Sequence, residues 1–223
     1  MTCYSSGIWF YGNRASGISG TKYGTLTRFR TPSSLPKTTC SVAYFVSCRS
    51  TTLDEQGSRR FYQSTIAYTP SVGAWHFSWG YSAYHLSQPP FGGLTPQPNH
   101  DYELGIRFTG SVVELYVVDL ATSTIYVMGT VSDTGTMWVS GDQPGFILEG
   151  FTDQISEMNV SAFKAYTFNV FLSPSSSTEW PHAVVTNQNS PPSEIHTYDL
   201  GGHQYLIGYT SQGQQRPDGY TLW

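Results

Sequence analysis

The 223 residues suffice for one large domain or two small ones, and a β-rich chain of this length is commonly a single domain. Only 12% of residues are charged, against an ordinary share of about 25%, while 15% are aromatic; this excludes disorder, coiled coils and long surface helices. The net charge is −4 and the 11 Lys and Arg are scattered, so the basic stripe of a nucleic-acid binder is missing; Arg59-Arg60 reads as a solvated strand end. No run of 18 apolar residues occurs, so neither nucleic acid nor membrane is expected as a partner.

Helix periodicity is almost absent, and strand signals fill the chain. In order they are TLTRFRT (25–31), SVAYFVSC (41–48), RFYQSTIAYT (60–69), AWHFSWGYSAYHL (74–86), YELGIRF (102–108) and VVELYVVDL (112–120). TIYVMGTV (124–131), GFILEGF (145–151), AFKAYTFNVF (162–171), AVVT (183–186) and HQYLIGYT (203–210) follow. Turn residues separate them: SVG after Pro70, Thr109-Gly110 as a tight hairpin, ATST (121–124), DTG (133–135) and GDQPG (141–145). The Pro/Gly/Ser-rich segments 87–100 and 173–182 read as loops, and 211–223 as a polar, partly mobile tail. Many short strands at this spacing predict an all-β sandwich or barrel, here one domain over 1–223 with no internal repeat.

Three cysteines cannot all pair within one chain, and no Cys/His spacing suggests zinc. Unpaired thiols are the expectation for Cys3, Cys40 and Cys48, which leans towards a reducing compartment. The opening MTCYSSGIWFYGNR has no basic segment followed by an apolar one, so no signal peptide is read in it. An intracellular protein and a secreted one whose leader has been removed both fit. The sequon at Asn159 carries little weight.

Phosphate loops, GxSxG elbows and HExxH are missing, the six histidines never fall in metal-ligand spacing, and neither cofactor nor metal is expected. Two polar residues sit in apolar strands. Period two puts Phe61, Gln63, Thr65 and Ala67 on one face of their strand, so Gln63 is either solvated or buried with partners. The same period groups Ile147, Glu149 and Phe151, opposite Phe146 and Leu148. A carboxylate among Ile and Phe tends to a raised pKa unless paired, which suits a general acid or base; the alternative is a solvated strand end.

Seven segments, in order, resemble the glutamic peptidases (eqolisins). YSSGIW (4–9), YGTLTRFRTPSS (23–34) and CSVAYFVS (40–47) resemble the opening Tyr-Ser-Ser-x-Trp, the second strand with its Val-Pro-Ser turn, and the Ala-Trp-Val-Gly strand. FYQSTIAY (61–68) resembles Leu-Gln-Thr-Gly-Val-Asp-Phe, and AWHFSWGYSAYHL the Trp- and Tyr-rich segment. VVDLATSTIYVM (117–128) resembles the Val-Glu-Asn-Leu-Thr-Thr-Gly hairpin, and PGFILEGF (144–151) resembles Ala-Glu-Trp-Ile-Val-Glu-Asp-Phe. The resemblance implies a two-sheet antiparallel β-sandwich of the concanavalin/lectin-like jelly-roll kind. It implies that Gln63 and Glu149 are the catalytic pair, side by side on one sheet. Trp9, Tyr44, Trp75, Trp79 and Tyr84 would line the substrate cleft. The departures are consistent in kind: Thr65 stands for the motif's Gly, Ala67 for its Asp, Tyr44 for a Trp and Gly150 for an Asp. The carboxylates around the pair are largely gone while the pair survives.

Three functions follow for weighing. An acid endopeptidase would use Glu149 as general base on water and Gln63 as donor to the oxyanion. A repurposed intracellular enzyme would use the same pair to cyclise or isomerise a small, natural-product-like organic molecule, favoured by an enclosed pocket over an open groove. A lectin-like binding module would stack exposed aromatics on sugar rings. The oligomeric state is not readable.

Overall fold

A computed structural model describes the backbone of residues 9–16, 20–36, 38–81, 89–139, 145–150, 164–179, 182–188, 195–201, 204–211, 214–215 and 220–221, and the side chains of 20–36, 38–81, 89–139 and 169–178. The first strands are β1 (Trp9–Ser16), β2 (Gly24–Arg30), β3 (Val42–Leu53), β4 (Arg59–Thr69), β5 (Ala74–Tyr81) and β6 (Asp101–Phe108). They are followed by β7 (Val112–Asp119), β8 (Thr124–Ser132), β9 (Met137–Trp138), β10 (Gly145–Gly150), β11 (Lys164–Ser173) and β12 (Ser176–Glu179). The last are β13 (His182–Gln188), β14 (Ile195–Gly201), β15 (Gln204–Ser211), β16 (Gln214–Gln215) and β17 (Tyr220–Thr221).

These strands form two large antiparallel sheets. A seven-stranded sheet runs β13-β1-β10-β3-β4-β5 with β9 beside β3, and a six-stranded sheet runs β12-β11-β2-β6-β7-β8. A small third sheet holds β14-β15-β16 with β17 on β15. Several consecutive strands pair through short turns, among them β3–β4, β4–β5, β6–β7 and β7–β8. Thr109-Gly110 closes β6 onto β7 because Gly110 takes a φ of 96°, which a side chain resists. Gly24, at a φ of 130°, opens β2 where an added Cβ would lie 1.9 Å from the Ile106 carbonyl oxygen, so only glycine lets β2 sit against β6 there.

Strand alternation divides the seven-stranded sheet into two faces. Val42, Tyr44, Val46, Tyr62, Ile66 and Phe77 turn inward and meet Leu104, Ile106, Phe108, Val113, Leu115 and Val117 of the other sheet in one buried cluster. Each such side chain contributes about 1.5–3 kcal/mol on burial, which is what holds the sheets face to face. The six-stranded sheet also packs outside this core. Tyr116 lies flat on Gly105, where an added Cβ would sit 2.1 Å from its ring, and its hydroxyl donates to Glu103 at 3.0 Å. Arg28 reaches the same Glu103 at 2.9 Å.

The expected strands from 25 to 131 are present, that over 74–86 as far as Tyr81, its residues 82–86 lying outside the described residues, and β3 runs on to Leu53. The loop over 87–100 is irregular where described, between 89 and 100. Three expectations need correction. The segment 173–182 contains β12, whose serines pair with β11 through backbone groups alone and leave no apolar pattern to read. Similarly, β16 and β17 lie within the polar tail and pair with β15, while β1 and β14 occupy stretches where no strand was read. Finally, Cys40 is disulfide-bonded, so the case for a reducing compartment from unpaired thiols loses its ground; Cys48 is a free, buried thiol. No helix among the described residues is long and apolar enough to cross a membrane.

Candidate functional site

The face of the seven-stranded sheet turned away from the core carries the residues of interest, and its rows follow from strand register. Gln63 stands opposite Ser47 on one side and Gly80 on the other; Ser47 in turn faces Gly145. The next row is Ile147, Phe45, Thr65 and Ser78. The row beyond is Glu149, Ala43, Ala67 and His76, with Phe10 of β1 on the far side of Glu149.

Gln63 and Glu149 therefore share a face but not a row. Strand β3 lies between them, and their β3 partners, Ser47 and Ala43, are four positions apart. At about 3.3 Å per residue and about 4.8 Å between strands, their Cα atoms lie roughly 16 Å apart. The side-by-side pair implied by the family resemblance is not what this register produces. Ala67 occupies the β4 position level with Glu149, and Gly145 the β10 position level with Gln63.

Around Gln63 the face is polar, uncharged and mostly closed. Gln63 is 9% exposed, Thr65 3% and Ser47 3%, yet the Thr65 hydroxyl has no hydrogen-bond partner among the described residues. A buried polar group without a partner costs about 1–3 kcal/mol. Ser78 and His76, on β5 at the sheet edge, remain half-buried, so the strip opens towards that edge. Burial pushes the His76 imidazole below its ordinary pKa, which favours its neutral form on this face.

Tyr44, Trp75 and Trp79, expected to line a cleft, turn towards the core instead, and parity is the reason. Tyr44 is 2% exposed and Trp75 8%, both within the layer between the sheets, their rings 6.0 Å apart. Trp79 also faces inward: it covers Gly129, where an added Cβ would lie 2.3 Å from the indole, and stacks on Tyr81. Trp9 pairs with Gly150, on the parity alternate to Glu149, and Tyr84 lies outside the described residues. Trp75 also walls a small cleft of about 210 Å³ at one end of the sandwich, with Pro32, Leu35 and Pro96.

Two carboxylate clusters escaped sequence reading. Asp133, in the Asp-Thr-Gly turn, has a side chain fully shielded from solvent. It accepts hydrogen bonds from the Tyr62 hydroxyl at 2.7 Å, the Thr52 hydroxyl at 2.7 Å and the Gly135 amide at 2.7 Å, with Arg60 at 4.0 Å. Burial works against the charge, but these donors prevail and hold its pKa below the usual carboxylate value. Burial and the Asp133 charge push the nearby Cys48 thiol well up, which leaves it unreactive. His100 meets Asp119 at 2.8 Å and packs on Tyr102, tying the loop before β6 to the end of β7. The hydrogen bond from His100 holds the Asp119 pKa down. Both clusters join residues far apart in sequence, so no local motif announces them.

No protein-family model and no curated protein matches the chain. Among solved structures, a scytalido-glutamic peptidase bound to a transition-state-analog inhibitor is similar at 14% identity, with a TM-score of 0.46, over 96% of this chain and 84% of that one. SCP-B, a member of the eqolisin family of peptidases in complex with the tripeptide Ala-Ile-His, is similar at 14% identity, with a TM-score of 0.42, over 95% of this chain and 83% of that one. At the level of the fold, and at low sequence identity, the chain is similar to glutamic peptidases.

Proposed function

We propose that the chain is a single-domain hydrolase of the glutamic-peptidase kind, on a jelly-roll-like sandwich, with Glu149 as its acid–base group. The observation that carries the reading is the row Glu149, Ala43, Ala67, His76 on the outer face of the seven-stranded sheet. The row sets two small residues, Ala43 and Ala67, between an acidic residue and a histidine. Glu149 takes a proton from water, the hydroxide adds to the scissile carbonyl carbon, and the protonated Glu149 then delivers that proton to the leaving nitrogen. Gln63, roughly 16 Å away on the same face, serves as an amide that holds the substrate rather than as a donor to the same oxyanion.

The test is cleavage of a denatured protein between pH 2 and 7 by the wild-type chain and by Glu149→Gln. The expected result is cleavage that falls at least about a hundredfold in the variant, the usual size of a general-base contribution. Cleavage that survives in Glu149→Gln would remove Glu149 from the mechanism.

A second reading has its own observation. Ala43, Phe45, Ser47, Gln63 and Thr65 are all nearly closed off, which fits an enclosed site acting on a small organic molecule better than an open peptide groove. Folded protein that cleaves nothing from pH 2 to 7 would favour this reading.

A further inference from the structure

Thr65 has no place in the acid–base chemistry, yet its setting is the most unusual on the outer face. Its hydroxyl is buried and meets no hydrogen-bond partner among the described residues. The sequence offers no reason for a hydroxyl there, since valine would fill the same space in a β-strand with better propensity and without an unmet polar atom. Gln63 stands two residues away on the same face, and Ser47 and Ser78 stand directly across from Gln63 and Thr65 on the neighbouring strands. The four polar groups form a contiguous patch without a charge. Hydroxyls and a carboxamide each offer a donor and an acceptor, so the patch complements a group that also offers both. An amide does so, through its carbonyl and its N–H. A carboxylate or an ammonium group would find no counter-charge among these four residues and would lose its hydration on entering.

We propose that Thr65, with Gln63, Ser47 and Ser78, forms a subsite that binds an uncharged amide group of the ligand, entering from the β5 edge. The proposal rests on the reading of the outer face as the substrate-binding face, and it makes Thr65 a binding residue. The amide can belong to an extended peptide or to a cyclic organic molecule such as a lactam, and the experiment separates these sources.

The full-length Glu149→Gln chain, which holds a substrate without turning it over, is titrated with acetyl-trialanine methylamide and, separately, with the cyclic dipeptide of alanine. Binding is read by calorimetry or by NMR shifts, before and after adding Thr65→Val, Thr65→Ser or Ser78→Ala. Loss of one hydrogen bond predicts that Thr65→Val weakens binding about five- to tenfold, that Thr65→Ser restores most of it, and that Ser78→Ala weakens it less. Thr65-dependent binding of the linear probe alone supports the subsite and assigns it to peptides; Thr65-dependent binding of the cyclic probe alone supports it and assigns it to small cyclic amides; Thr65-dependent binding of both supports it for either source. Binding unchanged by both Thr65→Val and Ser78→Ala overturns the subsite, as does a folded chain that binds neither probe. The outcomes stay separate from the hydrolase test. Thr65-dependent binding without wild-type cleavage leaves the subsite standing and the hydrolase reading overturned. Wild-type cleavage with Thr65-independent binding does the reverse.

Discussion

Two buried polar groups, one on strand β4 and one in the turn after β8, have opposite fates. Asp133 is a charge sealed from solvent, and it is fully answered: two hydroxyls and a backbone N–H donate to it, and Arg60 stands at 4.0 Å. Thr65 is a neutral hydroxyl sealed almost as well, and nothing among the described residues answers it. Burial alone does not separate these roles, because both sites are closed. Satisfaction does. A group whose hydrogen bonds are all made within the protein stabilises the fold, whereas a group whose hydrogen bonds are unmet keeps its interaction free energy available for something else. The first therefore pins the turn after β8 against β3 and β4, and the second marks a surface prepared for a ligand.

The largest effect should come from breaking the satisfied cluster. Asp133→Ala strands the Tyr62 hydroxyl, leaves the Thr52 hydroxyl with Ser50 alone, and should lower stability by about 3 kcal/mol. A urea midpoint that falls with an unchanged denaturant slope would report this, and a loss below about 1 kcal/mol would show that the cluster is incidental. Acid gives a graded version of the same test. The Asp133 pKa is lower in the folded protein than the usual value of about 3.9, so its stabilising contribution is present above about pH 4. That contribution is lost as pH falls through the folded value. The stability gap between wild type and Asp133→Asn should accordingly narrow from pH 5 to pH 2; a gap that stays constant would mean that the charge is not what the cluster holds. The smallest effect should come from the unsatisfied group. Thr65→Val should leave stability within about 0.5 kcal/mol of wild type, or raise it, because no intramolecular bond is lost. A loss above about 1.5 kcal/mol would mean that Thr65 does have a partner and belongs with Asp133 after all.

Much of this was legible in advance at the level of strands. The alternation in RFYQSTIAYT already grouped Gln63, Thr65 and Ala67, and that in GFILEGF grouped Ile147 with Glu149; both groupings match the register of the sheet. The aromatics were harder. Family resemblance places Tyr44 in a cleft, although it alternates with Ala43 and Phe45 and so must face away from them. Its parity put it in the core with Val42 and Val46. Strand β12 could not be read from its serines, because an exposed edge strand is held by backbone hydrogen bonds that any residue but proline can make. Asp133 was readable as a turn residue but not as a buried charge, since Tyr62 is 71 positions away along the chain.

By itself the amino-acid order determined that the protein is all β, where most of its strands run, and which side chains share a face of each strand. The physical reason is local: strand formation and its period of two depend on neighbouring residues and turn chemistry. Only the tertiary structure decided which face looks into the core, which residues of different strands share a row, and which buried polar atoms find partners. Those facts depend on register between strands, and a shift of a few positions moves Glu149 from the row of Gln63 to the row of Ala67 without changing a residue.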